Sequence, residues 1–348
     1  MNCNTRGTNT QGQMGLMQKL FHLSFVVCHL TPVLEVHKSR RRVAFSPNNP
    51  QALQQRTMSF LSNIFSSCFA PRAKVDAEQK LNDAVSFFQK YKITNKIGNG
   101  GTAEVWEAVD KKTGEFVAIK MPNTKVEADW MAGEFSIMRK FDSPYVMRPK
   151  CFFESKYTSF MVMKKYDGCL FDLIEAGPVA GDELKYIVKQ IATGLKTIHD
   201  AGYVHRDIKP ENILMDKDGV KFVIADFGLA EEEYCMTVRT AVGTGSYMAP
   251  EIAEGVLRPD KALLTVGKPI DVYALGQLMY ALITRRNAIP QSASTQEIIR
   301  NNLRFNMTHH IDELDVSDEL KDLLYGMTDR NPVSRLTIDE VLAHGFLL

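Results

Sequence analysis

The sequence lacks the clustered cysteines that mark a disulfide-rich scaffold or a zinc centre. Its six cysteines lie far apart along 348 residues, and no two of them form a C-x-x-C pair. This spacing excludes a disulfide framework and a zinc site of that kind, and it fits a reducing compartment, so we expect a cytoplasmic protein. A formal net charge of only +1 gives no electrostatic reason to expect nucleic acid as a partner.

A hydrophobic run long enough to span a membrane is also missing. The apolar stretch from Leu20 to Leu34 contains His22, His29 and Pro32, and it is shorter than the roughly 20 residues that a spanning helix needs. The basic run at residues 38–42 follows this stretch, whereas a secretory signal carries positive charge before its apolar segment. We therefore predict no transmembrane span.

The composition changes near residue 80, which separates an extension from a region with folded character. Residues 1–80 combine Asn-, Gln- and Thr-rich sequence with basic residues and the breaker Ser46–Pro50, so we predict a mostly flexible N-terminal extension. Apolar residues recur at roughly helical spacing between residues 60 and 69. They allow two interpretations: an amphipathic membrane anchor with an acylated Cys68, or a helix that packs on the folded domain or stays disordered. We favour the second interpretation.

From residue 91 onwards, strand patterns come first and helix patterns follow. Short runs that end at turn residues predict strands at 91–98, 103–110, 115–121, 147–154 and 158–163. Helical periodicity predicts helices at 126–141, 182–201, 271–284, 295–302, 317–327 and 338–343. This order indicates an α+β protein with two lobes, a small sheet-rich lobe and a larger helical lobe.

A glycine-rich loop lies between the first two predicted strands, in the sequence Ile97–Val105. Glycine allows the backbone to approach a phosphate closely. A dinucleotide-binding loop would lead into a helix, whereas the residues after this loop read as a strand. Taken alone, the motif indicates only a glycine-rich hairpin turn; with the later motifs it suits a lid over ATP.

A lysine on a predicted buried strand needs a negative partner. Lys120 ends the run Val-Ala-Ile-Lys on the third strand, where an unpaired ammonium group would be costly. The next helix offers Glu127 and Glu134, and the apolar Ile137 and Met138 are close to Glu134 in helical register. We favour Glu134 because its segment is followed by residues 143–146, Ser-Pro-Tyr-Val, the sequence expected after that helix.

Three further segments carry most of the chemistry. They are residues 203–214, which contain His-Arg-Asp-Ile-Lys-Pro-Glu-Asn, then Asp226-Phe227-Gly228, and then residues 243–251, which end in Ala-Pro-Glu. With these motifs in order, the chain resembles the eukaryotic-type protein kinases of the serine/threonine type. The match runs from about residue 91 to the C-terminus. Ala103 replaces the third glycine of the common loop pattern, as in bacterial-type members.

The resemblance implies a two-lobed protein kinase fold over residues 91–348. The small lobe, with an antiparallel sheet and one main helix, would be 91–163, the hinge 164–168, and the mainly helical lobe 169–348. Its substrates would be proteins, with ATP and Mg²⁺ as cofactors.

The resemblance also assigns site residues. Asp207 and Lys209 would be catalytic, the first accepting the substrate proton and the second contacting the γ-phosphate, while Asn212 and Asp226 would bind Mg²⁺. Glu251 would pair with Arg335 in a structural role. The implied ATP-binding residues are Ile97, Gly98, Asn99, Gly100, Gly101, Thr102, Ala103, Glu104, Val105, Ala118, Lys120, Glu134, Met163 and Leu214.

The type of acceptor follows from the same resemblance. Lys209 and Thr244 stand where serine/threonine kinases carry lysine and threonine, so we expect transfer to serine and threonine. The alternative is a pseudokinase that acts as a nucleotide-binding scaffold. Such proteins usually lose one of the essential residues, and Lys120, Asp207 and Asn212 are all present.

The segment after Asp-Phe-Gly bears on regulation. An arginine such as Arg206, directly before the catalytic aspartate, often implies an activation loop that responds to phosphate. Thr240 has the position to carry that phosphate, with Tyr234 and Thr237 as alternatives. Glu231–Glu233 stand where many phosphate-dependent relatives have a basic residue, and one of these carboxylates could pair with Arg206. We therefore hypothesise partial activity without phosphorylation; the other interpretation is a solvated loop.

Overall fold

The computed structural model describes residues 87, 89–154, 159–233, 245–257, 267–289 and 294–348. The chain divides into two compact units, Met1–Asn95 and Lys96–Leu348. In the first unit the ring of Phe87 rests 5.4 Å from that of Tyr91. The predicted extension, residues 1–80, and its apolar stretches lie outside the described residues. No helix in the described part of the chain is long and apolar enough to cross a membrane.

The small sheet contains five strands in the order β1-β2-β3-β5-β4. Their bounds are Tyr91–Asn99 for β1, Ala103–Asp110 for β2, Phe116–Pro122 for β3, Pro149–Glu154 for β4 and Ser159–Lys164 for β5. Strand β3 pairs antiparallel with both β2 and β5. Helix α1, Lys125–Met138, follows β3, and the Thr124 side chain caps it by accepting from Glu127 N.

Helix α1 is shorter than the sequence predicts. The predicted helix reached Phe141, but the helix ends at Met138. The chain turns there, and Phe141 packs against the rings of Phe227 at 5.2 Å and Tyr203 at 5.8 Å. The helical spacing of Phe141 was therefore coincidental, because its burial comes from tertiary packing.

The rest of the second unit is mainly helical. Small strands come between its helices: β6 Gly168–Cys169, β7 Tyr203–Val204, β8 Ile213–Met215, β9 Phe222–Ile224 and β10 Glu231–Glu232. The helices are α2 Leu170–Ala176, α3 Gly181–Asp200, α4 Pro250–Leu257, α5 Pro269–Thr284, α6 Thr295–Arg304, α7 Met307–Asp312, α8 Asp318–Met327 and α9 Ile338–Ala343. Short 3₁₀ turns cover Pro210–Asn212 and Gly345–Leu347. The fold is α+β, as the order of patterns predicted.

Two helices form the centre of this helical part. Helix α3 buries an apolar stripe that includes Leu184, Ile191 and Leu195, which is the face expected of an amphipathic helix. Helix α5 is apolar on nearly every side and is buried along most of its length. Gly194 lets α3 approach the preceding chain, because a Cβ there would lie 2.7 Å from Tyr145 O.

A buried arginine ties the end of the chain to the centre. The guanidinium of Arg335 holds Glu251 in two bonds of 2.8 and 3.0 Å, as the sequence predicted for this pair. It also donates to Pro269 O and Asp329 O, each at 2.8 Å. The Arg335 side chain is 0% exposed and that of Glu251 only 13% exposed, so loss of the arginine would leave a largely buried carboxylate without its counter-charge.

Replacing Arg335 with methionine is therefore expected to lower the free energy of unfolding by about 3–5 kcal/mol. Urea denaturation would measure the loss. The matched control is Arg148→Met, which removes an exposed pair with Asp142 at 3.2 Å and should change stability by less than about 1 kcal/mol. Equal effects of the two substitutions would contradict the structural role of Arg335.

Candidate active site

The lysine of strand β3 lies between two carboxylates. Lys120 Nζ donates to Glu134 Oε1 and Oε2 at 2.8 and 2.9 Å, and to Asp226 Oδ1 at 2.9 Å. Glu134 is therefore its partner on α1. Burial alone would lower the pKa of Lys120, but the charges of Glu134 and Asp226 outweigh it and raise the pKa above its ordinary value. The ammonium group stays charged.

Register within the sheet gathers other predicted residues around this lysine. Val105 lies opposite Lys120, and Ala118 lies opposite Met163. Residues opposite each other on paired strands have side chains on the same face of the sheet. Ala118 and Lys120 are two positions apart on β3, so they also share a face, and all four side chains lie on that face. Leu214 lies on a different sheet, in β8 opposite Cys169. The predicted apolar lining thus comes from both the small sheet and the helical part.

The glycine loop forms the tight turn between β1 and β2. Gly100 N donates to Ala103 O at 2.9 Å, and a Cβ at Gly100 would lie 3.2 Å from the same oxygen. Asn123, which follows β3, anchors the loop: its side chain donates to Gly101 O at 3.1 Å, and its backbone N donates to Thr102 O at 3.1 Å. No motif in the sequence pointed to Asn123.

Other predicted loop residues have contacts within the sheet. Lys96 Nζ reaches Asn99 Oδ1 at 2.7 Å and Glu104 Oε1 at 3.0 Å. Trp106 Nε1 donates to Glu104 Oε2 at 3.1 Å. Glu104 therefore contacts both Lys96 on β1 and Trp106 on β2. Ile97, at the start of the loop, is 47% exposed.

The segment 205–212 places three polar side chains in one cluster. Lys209 Nζ lies 2.6 Å from Asp207 Oδ2. Asn212 Nδ2 donates to the same oxygen at 2.9 Å and to Asp207 O at 2.8 Å. Asp207 N donates to His205 Nδ1 at 3.3 Å, and His205 Nε2 lies 3.1 Å from Ala225 O. Lys209 and Asn212 thus hold one oxygen of the Asp207 carboxylate, and His205 and Asn212 hold the backbone of the same residue.

A buried aspartate of helix α5 holds the backbone of this segment. Asp271 accepts from His205 N and Arg206 N, both at 2.8 Å, and lies 3.0 Å from His199 Nε2. Burial would raise the pKa of Asp271, but the histidines outweigh it and lower the pKa. Arg206 adopts φ 70°, which is costly for a side chain with a Cβ. The bonds to Asp271 sustain that conformation.

The residues present suit a magnesium ion bound together with phosphate. Among the described residues, no three His, Cys, Asp or Glu side chains are placed so that they could hold a metal ion together. Mg²⁺ does not need one, because one or two protein ligands usually bind it together with phosphate oxygens and water. Ala225 N donates to Asn212 O at 2.8 Å, so Asn212 lies beside the residue that precedes Asp226. The Asp226 side chain is 50% exposed, which leaves it accessible to a ligand.

The charge state of Asp226 suits that role as well. Burial would raise its pKa, but Lys120 is the stronger influence and lowers the pKa below its ordinary value. Asp226 has φ 63°, and the next residue, Phe227, packs its ring 4.9 Å from that of His205. The aspartate is thus ionised and held in a strained turn between two fixed segments.

Comparison with known proteins identifies the family. The protein kinase domain family matches residues 91–347, which include every motif described above. The chain belongs to the protein kinase family. Its glycine loop, Lys120–Glu134 pair, Asp207 segment and Asp226 turn are therefore homologous parts of a kinase domain.

Several relatives of this kinase are serine/threonine kinases by name. It is 29% identical to the serine/threonine-protein kinase RAD53 of Saccharomyces cerevisiae, over 78% of this chain and 35% of that protein. It is 30% identical to a calcium/calmodulin-dependent protein kinase type I of Schizosaccharomyces pombe, over 80% of this chain and 82% of that protein. It is 30% identical to the serine/threonine-protein kinase AtPK1/AtPK6 of Arabidopsis thaliana, over 71% of this chain and 52% of that protein. The matched region is thus about a third to a half of two of these relatives.

The sequence did not predict the roles of some residues near this site, and other predicted residues lie outside the part of the chain that the structure describes. The sequence places Asp271 only at the start of a predicted helix, although an aspartate in an otherwise apolar helix signals a buried polar contact. Asn302 on α6 donates to Gly245 O at 3.2 Å and Met248 O at 2.5 Å, and no sequence signal marks it. Thr240 and Thr244 lie outside the described residues.

Proposed function

We propose that this kinase transfers the γ-phosphate of Mg-ATP to serine and threonine hydroxyls of other proteins. The observation that carries the proposal is the pair of clusters, Lys120 with Glu134 and Asp226, and Asp207 with Lys209 and Asn212. Phosphoryl transfer depends mainly on positioning and charge neutralisation, and these clusters supply both. The complete set of charged groups supports a catalyst over a scaffold.

Each group has a place in the reaction. Lys120, fixed by Glu134, binds the α- and β-phosphates. Asp207 orients the substrate hydroxyl and takes its proton as the hydroxyl oxygen forms a bond to the γ-phosphorus. The bond from that phosphorus to the oxygen bridging the β- and γ-phosphates breaks, and ADP leaves with the electron pair.

Other residues stabilise the transferring group. Lys209 contacts the γ-phosphate oxygens from its place beside Asp207. Asn212 and Asp226 would hold Mg²⁺, which supplies positive charge to the phosphate oxygens when it is bound. Val105, Ala118, Met163 and Leu214 line the adenine site.

The proposal extends to acceptor and location. Lys209, together with the names of the relatives, supports serine and threonine as acceptors. The scattered cysteines support a cytoplasmic protein without disulfides. Fractionation of the full-length chain into the membrane pellet would instead favour an anchor within residues 1–80.

Labelled γ-phosphate transfer to a generic basic protein tests the activity. We expect Mg-dependent incorporation that stops when EDTA removes the metal, with label only on phosphoserine and phosphothreonine after acid hydrolysis. Label on phosphotyrosine would contradict the acceptor type. Nucleotide binding without any transfer, by protein shown to be folded, would support a scaffold.

A further inference from the structure

The guanidinium of Arg206 is buried and already has a carboxylate partner. Its side chain is only 7% exposed, and Nη1 binds Glu231 Oε2. Burial lowers the pKa of Arg206, and the charge of Asp271 opposes this effect. A buried cation is stable only with a counter-charge, and Glu231 supplies one from within the folded chain.

Strand pairing fixes Glu231 beside this arginine. Strand β10 pairs antiparallel with β7, with Glu231 opposite Val204 and Glu232 opposite Tyr203. Val204 is two residues before Arg206, so the ladder sets the carboxylate next to the guanidinium. Glu233 N continues the pairing by donating to Gly202 O at 3.0 Å. The contact therefore follows from backbone register as well as from charge.

The two neighbouring glutamates hold the same strand through other partners. Glu232 binds Tyr203 Oη and lies 3.8 Å from Lys140 Nζ. Glu233 Oε2 lies 3.0 Å from Lys268 Nζ, just before helix α5. All three carboxylates thus have cationic or hydroxyl partners on different segments. A solvated acidic loop would not show this arrangement.

Arg206 is in turn the residue next to Asp207, and it is fixed at both ends. Asp271 binds its backbone N at 2.8 Å, while Glu231 binds its side chain. Its left-handed backbone conformation costs energy and needs such support. If the Arg206 side chain lost its partner, the backbone of the adjacent Asp207 would therefore become more mobile.

We propose that Glu231 is a positioning residue for phosphoryl transfer: it acts through Arg206 on Asp207 and replaces the phosphate that this arginine would otherwise need. The inference rests on the proposed kinase function and concerns its regulation. A carboxylate is charged permanently at neutral pH, whereas a phosphate must be added. The kinase therefore works without phosphorylation of its activation segment.

The first test compares phosphate-free and phosphorylated protein. The protein is treated with phosphatase, and its mass is measured to show that no phosphate remains. Initial rates of transfer are then measured before the kinase can phosphorylate itself again. We expect the phosphate-free kinase to keep most of its kcat. If only the phosphorylated form is active, the inference fails while the kinase function stands. If neither form transfers phosphate, the proposed function fails and the inference with it.

The second test changes the carboxylate. In phosphate-free protein, Glu231→Gln should lower kcat about 10- to 100-fold, the range expected when a catalytic group is misplaced. The KM for ATP should change by less than about twofold, because Lys120 and the glycine loop are untouched. Glu231→Asp, which keeps the charge, should restore most of the lost kcat.

A matched control distinguishes a positioning effect of Glu231 from a general effect of losing a negative charge or stability in this segment. Glu233→Gln makes the same chemical change at the residue that follows β10, where Glu233 pairs with Lys268 near the surface, and it should leave kcat within about twofold. The double variant Arg206→Gln/Glu231→Gln should be no slower than Arg206→Gln alone, because both changes break one contact. Wild-type kcat in Glu231→Gln, or equal losses in the Glu231 and Glu233 variants, would overturn the inference.

Discussion

Replacing Asp207 with asparagine is expected to lower kcat by about 10²- to 10⁴-fold, the range that a positioned acid or base contributes. The amide has nearly the same shape and can still accept the 2.9 Å bond from Asn212. It cannot take the proton of the substrate hydroxyl, and it no longer balances the charge of Lys209. Because the change spares Lys120 and the glycine loop, the KM for ATP should change little. Steady-state kinetics with varied ATP would show this separation.

The control for this prediction is an aspartate outside the site. Asp200 lies at the end of α3 and pairs with Lys196 at 3.1 Å on the surface. Asp200→Asn should leave kcat within about twofold. An Asp207→Asn protein that retained wild-type kcat would remove Asp207 from the reaction and favour a base from another segment.

The sequence could predict features that depend on neighbours along the chain. Apolar periodicity located α3 and α5 to within one or two residues at each end, because each has a long face or body to bury. Chemistry also limited the choice for Lys120. A buried ammonium group needs a carboxylate, and of the two glutamates on helix α1 the favoured one, Glu134, is the partner that the structure shows.

Features that depend on distant contacts were harder to predict. Helices α2, α4 and α7 have eight residues or fewer and were not predicted. Helix α9 is equally short and was predicted, so a period of 3.6 is not dependable over so few residues. Which of the three glutamates meets Arg206 depends on the register of β10 with β7, and two-residue strands leave no alternating pattern to read. The same limit hid the bonds of Asp271, whose partners are more than 60 residues away in sequence.

Replacing Lys120 with methionine is the second change with a large expected effect. It should lower kcat by about 10²- to 10³-fold, the cost of removing one preorganised charge from a reaction centre. Without the ammonium group, Glu134 and Asp226 would face each other unbalanced, and the pKa of Asp226 should rise, because Lys120 is what lowers it. Steady-state kinetics at saturating Mg-ATP would measure the loss of kcat.

The partner glutamate and a surface lysine make this prediction specific. Glu134→Gln should also lower kcat, and the double variant Lys120→Met/Glu134→Gln should be no slower than Lys120→Met, since Glu134 acts by placing Lys120. Lys150→Met is the matched control in the same sheet; it removes a pair with Glu115 at 2.5 Å and should leave kcat within about twofold. Additive losses in the double variant would show that Glu134 contributes independently of Lys120, through its own charge near Asp226.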